Sequence, residues 1–300
     1  MNTKISKTVI LILALFFGLS NTKAQFEKTN CKGYELKGKV KKIVIKHYLA
    51  MVQDGKIING EPGYYNESQD VDAWADFFKE HAAAIFNQDG NLVQVEEYTN
   101  GNTLISKTAY EYDTKGFVKK SLRYGNNDIL DSKMEFATDK YGSVIQYTES
   151  LEIDKSFKPE VYNISYKYDS IGNIIELKDT MMLISTIYEN GRKKLVKAKL
   201  GWSDKVATSS YDYVFNDKKE LIQSTYKSNY DNSIQKTDFK NGNKIEVESE
   251  IKIEGRIRKI KLVYENDKFG NWIRRLNYLW DGSSFSTIPS HIVIREIEYY

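Results

Sequence analysis

Hydrophobic and polar residues alternate with a period of two along much of this chain, in segments bounded by turn-forming residues. In the segment KIEVESEIKI, four aliphatic residues at 245, 247, 251 and 253 share one face, and three glutamates lie on the other. Such alternation is typical of a β-strand with one buried face and one face in water. Only 3 prolines in 300 residues are consistent with long, uninterrupted strand pairing.

One segment departs from this pattern. In SQDVDAWADFFKEH, residues 68–81, the side chains of Trp74, Phe77, Phe78 and His81 recur with the spacing of one helical face. The pattern predicts a short helix inserted in the first hairpin, packed over the first edge of the sheet.

A second pattern is a repeated turn in which Asp or Asn precedes a glycine by three residues. The first four copies are separated by 26 to 30 residues, which indicates a repeat architecture. The glycines are Gly90, Gly116, Gly142, Gly172 and Gly270, and the residues three positions earlier are Asn87, Asp113, Asp139, Asp169 and Asp267. In a degenerate copy, FNDKKE, Lys219 takes the glycine position.

The residue types explain the turn. Asp or Asn at the first position accepts hydrogen bonds from nearby backbone, and glycine at the fourth adopts a left-handed conformation without steric cost. Such a turn joins two strands of a hairpin. A second set of turn signals, such as TNGN and IEGR, alternates with the first. The sequence therefore predicts an all-β fold: an antiparallel β-hairpin repeat array of about sixteen strands, forming a long, twisted, curled sheet.

A runner-up architecture is an outer-membrane barrel, which export, strand number and the aromatic C-terminus at Tyr300 permit. Strands such as SLRYGNND offer no apolar face to lipid, and 28% of the residues are charged. The sequence favours a protein that works in water.

The first 24 residues have the layout of a signal peptide. Lys4 and Lys7 precede the apolar run VILILALFFGL, and Thr22 and Ala24 are small residues before a cleavage point at Gln25. The run is shorter than a membrane-spanning helix, and no cysteine follows it directly. We expect an exported protein (periplasmic, cell-surface or extracellular) without a lipid or stable membrane anchor.

The charge and cysteine content limit the classes of partner and of covalent cross-link that we expect. Removal of the leader takes three lysines from the 44 basic residues, which then equal the 41 acidic ones, so a nucleic-acid partner is disfavoured. The one cysteine, Cys31, cannot form an internal disulfide. We assign it to a mobile leader, residues 25–35, ahead of a single domain, residues 36–300.

The repeated segments YEYDTKG and YKYDSIGN, with their flanking apolar strands, resemble the YD repeats of the bacterial RHS family. They are more similar to those of smaller secreted proteins with degenerate copies. The opening LKGKVKKIVIKHY and the closing REIEYY also resemble the ends of those smaller proteins. The resemblance covers roughly residues 36–300, and it implies a hairpin array and a surface or secreted role. It implies no activity, because the chain is too short to enclose a toxin as large RHS proteins do.

Catalytic signatures are sparse. The three histidines, His47, His81 and His291, lie in no recognisable motif, and no zinc motif or calcium loop is present. We expect no metal and no cofactor. Carboxylate pairs for glycoside hydrolysis remain possible in a chain with 41 acidic residues, but the sequence singles out none.

Aromatic residues are the class that stands out, at 13% of the chain. Residues two apart on a strand share a face, so aromatic residues six and four positions before the turn glycine would line one face of the sheet. They could pack in the core, or form a platform for sugar rings or a protein partner. The candidate ligand-binding residues are Tyr110, Tyr112, Tyr166, Tyr168, Tyr213 and Phe215.

These observations lead to three functional hypotheses. The first is a non-catalytic secreted or cell-surface binding protein whose ligand is a glycan or another protein. The second is a hydrolase of envelope polymers that uses a carboxylate pair. The third is a self-associating scaffold or adhesin.

Overall fold

The structure is a computed structural model that describes residues 31, 34, 36–63, 81–99, 103–153, 156, 158–201, 204–229, 232–240, 243–251 and 256–300. All regular secondary structure in these residues is β. The strands are β1 (Val40–Gln53), β2 (Lys56–Pro62), β3 (His81–Phe86), β4 (Leu92–Tyr98), β5 (Leu104–Tyr112), β6 (Val118–Gly125), β7 (Leu130–Thr138), β8 (Val144–Leu151), β9 (Glu160–Asn163), β10 (Ser165–Tyr168), β11 (Ile174–Lys178), β12 (Met182–Glu189), β13 (Arg192–Leu200), β14 (Val206–Phe215), β15 (Leu221–Ser228), β16 (Ser233–Lys240), β17 (Asn243–Ile251), β18 (Arg256–Asn266), β19 (Trp272–Leu279) and β20 (His291–Tyr299).

The twenty strands form one antiparallel sheet that is nearly closed and barrel-like. Each strand from β3 to β8 pairs with the next, as does each strand from β10 to β19. Two junctions join these two series of strands around the sheet. At one, only Ile164 separates β9 from β10. At the other, β1 pairs with β20 on one side and with β2 and β3 on the other. The all-β antiparallel prediction is confirmed. The described residues form twenty strands instead of about sixteen, and the sheet is nearly closed and barrel-like instead of an open hairpin array.

The predicted helix over 68–81 lies outside the described residues except at its last position. His81 begins β3 and pairs with Tyr98 of β4. The helix prediction is therefore wrong for His81, because this residue takes part in a strand ladder.

The repeated turns position the hairpins. In the turn at Gly172, the Gly172 N–H donates to Asp169 O at 3.2 Å, and Asp169 Oδ1 accepts from the N–H groups of Ile171 and Asn173 at 3.0 and 2.8 Å. The glycine has φ +88°, and Lys219 has φ +61° at the corresponding position of the degenerate copy. The same backbone geometry, with φ between +79° and +82°, occurs at Gly90, Gly116, Gly142 and Gly270.

A β-bulge follows each of these turns. The register of β10 and β11 passes from Tyr168↔Ile174 to Lys167↔Glu176, so that Ile175 has no partner directly opposite. A bulge bends its strand and increases the local twist, so repeated bulges at one end favour a sheet that curls. The residues without a direct partner, each three positions after the turn glycine or Lys219, are Val93, Lys119, Ile145, Ile175, Ile222 and Ile273.

Two clusters of buried hydrophobic residues lie on the same face of the sheet, called the inner face here. The first is centred on β1, β3, β4 and β20 and includes Ile43, Phe86 and Val293. The second is centred on β8 and β11 to β13 and includes Ile184 and Val196. Because the clusters lie on opposite arcs of the sheet, each holds a different set of neighbouring strands together.

Two residues of the predicted mobile leader lie against the first cluster. Tyr34 is buried and meets the Phe86 ring edge-on, with centroids 5.5 Å apart. The Cys31 N–H donates to Gly90 O at 2.9 Å, and burial raises the pKa of the Cys31 thiol. At these two positions the structure differs from the prediction, because an aromatic side chain and a backbone hydrogen bond fix the chain to the core.

The outer face carries ion pairs between neighbouring strands. Lys167 lies 2.8 Å from Glu176, Lys259 lies 3.0 Å from Glu248, and Lys46 lies 2.6 Å from Glu296. Exposed pairs of this kind stabilise little, but charged side chains on a lipid-facing surface would be costly. The outer face therefore carries charged pairs together with exposed aliphatic residues such as Leu183 and Ile187.

Within the described residues, none of the chain forms a helix with the length and hydrophobicity required to cross a membrane.

Candidate functional site

The six aromatic residues singled out by the sequence lie on three strands that are not neighbours. Tyr110 and Tyr112 are on β5, Tyr166 and Tyr168 on β10, and the remaining pair, Tyr213 and Phe215, on β14. Strands β6 to β8 separate the first pair from the second, and β11 to β13 separate the second from the third. The six residues therefore form no single continuous ladder.

Several of these tyrosines bond to the hairpin before their own. The Tyr166 hydroxyl donates to Val144 O at 3.0 Å, and the Tyr112 hydroxyl donates to Leu92 O at 2.6 Å. The Tyr168 hydroxyl donates to the carboxylate of Asp139, the first residue of the preceding turn. Burial raises the pKa of Tyr168 to about 12, helped by this hydrogen bond. These contacts tie one repeat to the next and favour a packing role.

The pair on β14, Tyr213 and Phe215, has the side chain of Arg192 over its rings. The guanidinium of Arg192 lies 5.4 Å from the ring centroid of Tyr213 and 4.8 Å from that of Phe215. Phe215 is exposed. This pair is more open than the aromatic residues of β10, but a neighbouring side chain already covers it.

The histidines build no catalytic constellation that the structure describes. His47 is buried on β1, and burial together with the nearby charge of Arg275 lowers the pKa of His291 on β20. Among the described residues, no group of three or more His, Cys, Asp or Glu side chains could hold a metal ion.

A different set of residues on β8 and β9 forms the best candidate site, which we call the tyrosine platform: Tyr147, Glu149, Glu160 and Tyr162. In the register of the two strands, Tyr147 lies directly opposite Tyr162, and Glu149 lies directly opposite Glu160. The two tyrosine rings are stacked, with centroids 4.6 Å apart and an interplanar angle of 11°. Alternation places all four side chains on the inner face.

Burial differs across the tyrosine platform. Tyr147 is buried, and Phe136 lies directly opposite it on the β7 side. Tyr162 is half-buried and Glu160 is exposed. Tyr147 thus packs against one face of the Tyr162 ring, while Tyr162 and Glu160 are the more exposed members of the platform.

The electrostatics link the rings to the carboxylates. The Tyr162 hydroxyl donates to Glu160, and this hydrogen bond, with burial, raises the pKa of Tyr162 to about 12. Burial is the main cause of a raised pKa at Tyr147, with Tyr162 and Glu149 contributing. Both hydroxyls therefore stay protonated at neutral pH. The two glutamates face each other across the strands, an arrangement that destabilises a sheet when both are charged.

Sequence reasoning missed the tyrosine platform, although the chain contains a signal for it. Strand β8 contains Tyr-x-Glu at 147–149, and β9 contains the reverse order, Glu-x-Tyr at 160–162. An antiparallel pair with these two spellings places like residues opposite each other. Only the register of the pair shows that the two segments meet.

Comparison with known proteins gives no family. No protein-family model matches the chain, and no curated protein matches it. Among solved structures, the chain is similar to a porin-like protein from Bacteroides uniformis, with a TM-score of 0.41 and 10% identity over 88% of this chain and 98% of the other.

The chain is also similar to part of the complex TcdB2-TccC3-TEV, with a TM-score of 0.32 and 10% identity over 66% of this chain and 11% of the other. A further TcdB2-TccC3 structure, without its hypervariable C-terminal region, gives a TM-score of 0.30 and 10% identity over 72% and 14% of the two chains. These scores are too low to support an argument about fold or function.

Proposed function

We propose that this chain is an exported, non-catalytic binding protein of the cell envelope, built from degenerate YD-type hairpin repeats, and that it binds a glycan at the tyrosine platform. The observation that carries the proposal is the stacked pair of Tyr147 and Tyr162 beside two carboxylates on the same two strands.

The chemistry of the platform fits a sugar. A half-exposed aromatic ring presents an apolar face for the C–H groups of a pyranose, with its polar hydroxyl at one end. Glu149 and Glu160 supply acceptors for sugar hydroxyl groups, and a hydrogen bond to a charged acceptor is about twice as strong as a neutral one. Because Tyr147 stacks on one face of the Tyr162 ring, the more exposed ring is already positioned before the ligand arrives.

The same geometry favours binding over hydrolysis. A glycosidase uses an acid and a second carboxylate on either side of the scissile bond, in a site that excludes water. Glu149 and Glu160 lie on adjacent strands and approach a ligand from one side, and Glu160 is exposed.

The pairing of the sheet disfavours self-association through its edges. Unpaired strand edges invite pairing with other chains, but β1 and β20 pair with each other, and β9 continues directly into β10. A scaffold function therefore has less support than ligand binding.

A glycan array probed with the mature protein tests the proposal, followed by affinity measurements on variants. Tyr162→Ala should weaken binding at least tenfold, or about 1.4 kcal/mol, with a melting temperature within a few degrees of the parent. The matched control is Tyr226→Ala, which removes one ring of the facing pair Tyr211 and Tyr226, tilted by 58°.

Two results would overturn the proposal. One is the absence of any bound glycan, and the other is equal affinity of the Tyr162→Ala variant and the parent. Release of reducing ends from an envelope polysaccharide, abolished by Glu149→Gln, would instead establish the hydrolase.

A further inference from the structure

Four basic side chains lie together on the inner face where β1, β19 and β20 meet. We call them the basic cluster: His47, Arg275, His291 and Arg295. In the register of these strands, Val293 of β20 lies directly opposite His47 on one side and Arg275 on the other. His291 and Arg295 precede and follow Val293 by two residues, so they share its face. Diagonal neighbours in an antiparallel pair are about 7–8 Å apart, which places His291 close to both His47 and Arg275.

The basic cluster is largely removed from water. The exposed fraction is 1% at His47 and 2% at Arg275, and His291 and Arg295 are half-buried. The guanidinium groups are charged at every pH that a folded protein meets. A further positive charge in such a region is costly, because the dielectric is low and the neighbouring charges have the same sign.

Neighbouring side chains hold the two guanidinium groups in place. Their central carbons lie 5.5 Å (Arg275) and 3.4 Å (Arg295) from the ring centroid of Trp272. The Arg275 Nε–H donates to Asn277 Oδ1 at 3.0 Å, and Asn277 lies directly opposite His291. These contacts keep the charge of Arg275 beside His291.

Further titratable groups face the basic cluster from neighbouring strands. Tyr264 of β18 lies directly opposite Arg275. On the far side of β1, the exposed Glu61 lies in a bulge of β2, and Glu97 of β4 lies beyond β3. At least one strand separates each of these carboxylates from β20, whereas cations lie on β20 itself and on the adjacent β19. The register thus surrounds His291 more closely with cations than with these carboxylates.

The ladder that carries His291 and Arg275 is short. Strands β19 and β20 pair over four residues, 274–277 with 291–294. The flanking ladders are longer, with nine residue pairs between β1 and β20 and seven between β18 and β19. The β19–β20 ladder is therefore the place near the basic cluster where the fewest backbone pairs oppose separation.

We propose that the basic cluster is an acid-sensitive latch: protonation of His291 and His47 beside the two arginines separates β19 from β20 and opens the sheet along this ladder. Burial and the charge of Arg275 lower the pKa of His291 from its ordinary value of 6.5. The opened form, in which water reaches the imidazole, therefore binds the proton more readily. The closed form is favoured at neutral pH and loses this advantage as the pH falls below 6.5, by at most about tenfold per pH unit for each histidine.

The latch is separate from the tyrosine platform. It involves β1, β19 and β20, whereas the platform lies on β8 and β9. Opening can be measured without any glycan, so either proposal can fail without the other.

Hydrogen–deuterium exchange of the full mature chain tests the latch. Exchange is followed by mass spectrometry at pH 7.5, 6.5 and 5.5, and each rate is corrected for the intrinsic pH dependence of amide exchange. At pH 5.5, amides of the β19–β20 ladder should exchange about tenfold faster than at pH 7.5, whereas those of β5 to β7 should not change. The double variant His47→Gln, His291→Gln should lose this acid effect. The matched control is His81→Gln on β3, which alters the remaining histidine of the chain and should leave the effect intact.

The pH profile of the unmodified chain supplies a test even if the double variant fails to fold. Equal acceleration in β5 to β7 and in the β19–β20 ladder, no acceleration in that ladder at pH 5.5, or an acid effect that persists in a folded double variant would each overturn the proposal.

Discussion

A comparison of two turn glycines tests the left-handed turn most directly. Gly142 and Gly172 have nearly equal φ values, +82° and +88°. A Cβ atom added at Gly172 would meet nothing within 4 Å, whereas one added at Gly142 would lie 2.5 and 2.6 Å from two ring carbons of Phe117. The two positions therefore share backbone strain and differ in steric overlap.

The expected losses of stability follow from the backbone strain and the steric overlap. A left-handed conformation costs a non-glycine residue about 1–2 kcal/mol, and the loss of glycine freedom in the unfolded chain offsets about 0.4–1 kcal/mol of this. Gly172→Ala should therefore destabilise by about 1 kcal/mol. Gly142→Ala should destabilise by about 1–3 kcal/mol more than Gly172→Ala, because the half-buried Phe117 ring must move away from the added methyl group.

Urea unfolding followed by tryptophan fluorescence measures both variants, and Phe117→Ala completes the design. In the Phe117→Ala background, the additional cost of Gly142→Ala should fall to that of Gly172→Ala. Equal losses for the two single variants would refute the steric argument. A neutral Gly172→Ala would refute the left-handed turn on which the repeat depends.

Four further predictions follow from single residues. Lys219→Gly should raise the unfolding free energy by up to about 1 kcal/mol, seen as a higher urea midpoint, because Lys219 has φ +61°; a lower midpoint would contradict this. Tyr168→Phe should cost about 1 kcal/mol in the same assay, because the hydroxyl bonds to the Asp139 turn; an unchanged midpoint would show that the bond contributes nothing. Burial lowers the pKa of Lys193 to about 7 in the folded chain, below its unfolded value of 10.5. Between these pH values the unfolded chain binds more protons, so the free energy of unfolding should rise with pH, by less than about 1.4 kcal/mol per pH unit. Urea unfolding at pH 6 to 9 should show this slope disappear in Lys193→Met, and a slope that persists would refute the assignment. Intact mass should show an exported chain that begins at or next to Gln25 without lipid, and a retained leader would overturn the predicted localisation.

The turns that join the hairpins could be predicted from the sequence because the interactions that form them are local. An Asp or Asn three residues before a glycine determines a turn through bonds within five residues, as Asp169 and Gly172 show. Alternation likewise predicted the antiparallel strands. The bulges also have a local signal, since two adjacent apolar residues follow the turn, as at Ile174 and Ile175. Their effect on the curl of the sheet was not evident before the register was known.

Closure and the candidate site depended on the tertiary structure. The pairing of β1 with β20 joins residues such as Ile43 and Ile297 that are far apart in sequence, and no local pattern states which strands meet. The contact of Tyr147 with Tyr162 depends on a register between strands joined by a loop, and a shift of one residue would turn every side chain to the other face. Composition and spacing determine turns and strands, whereas register determines which side chains share a face and therefore which chemistry is brought together.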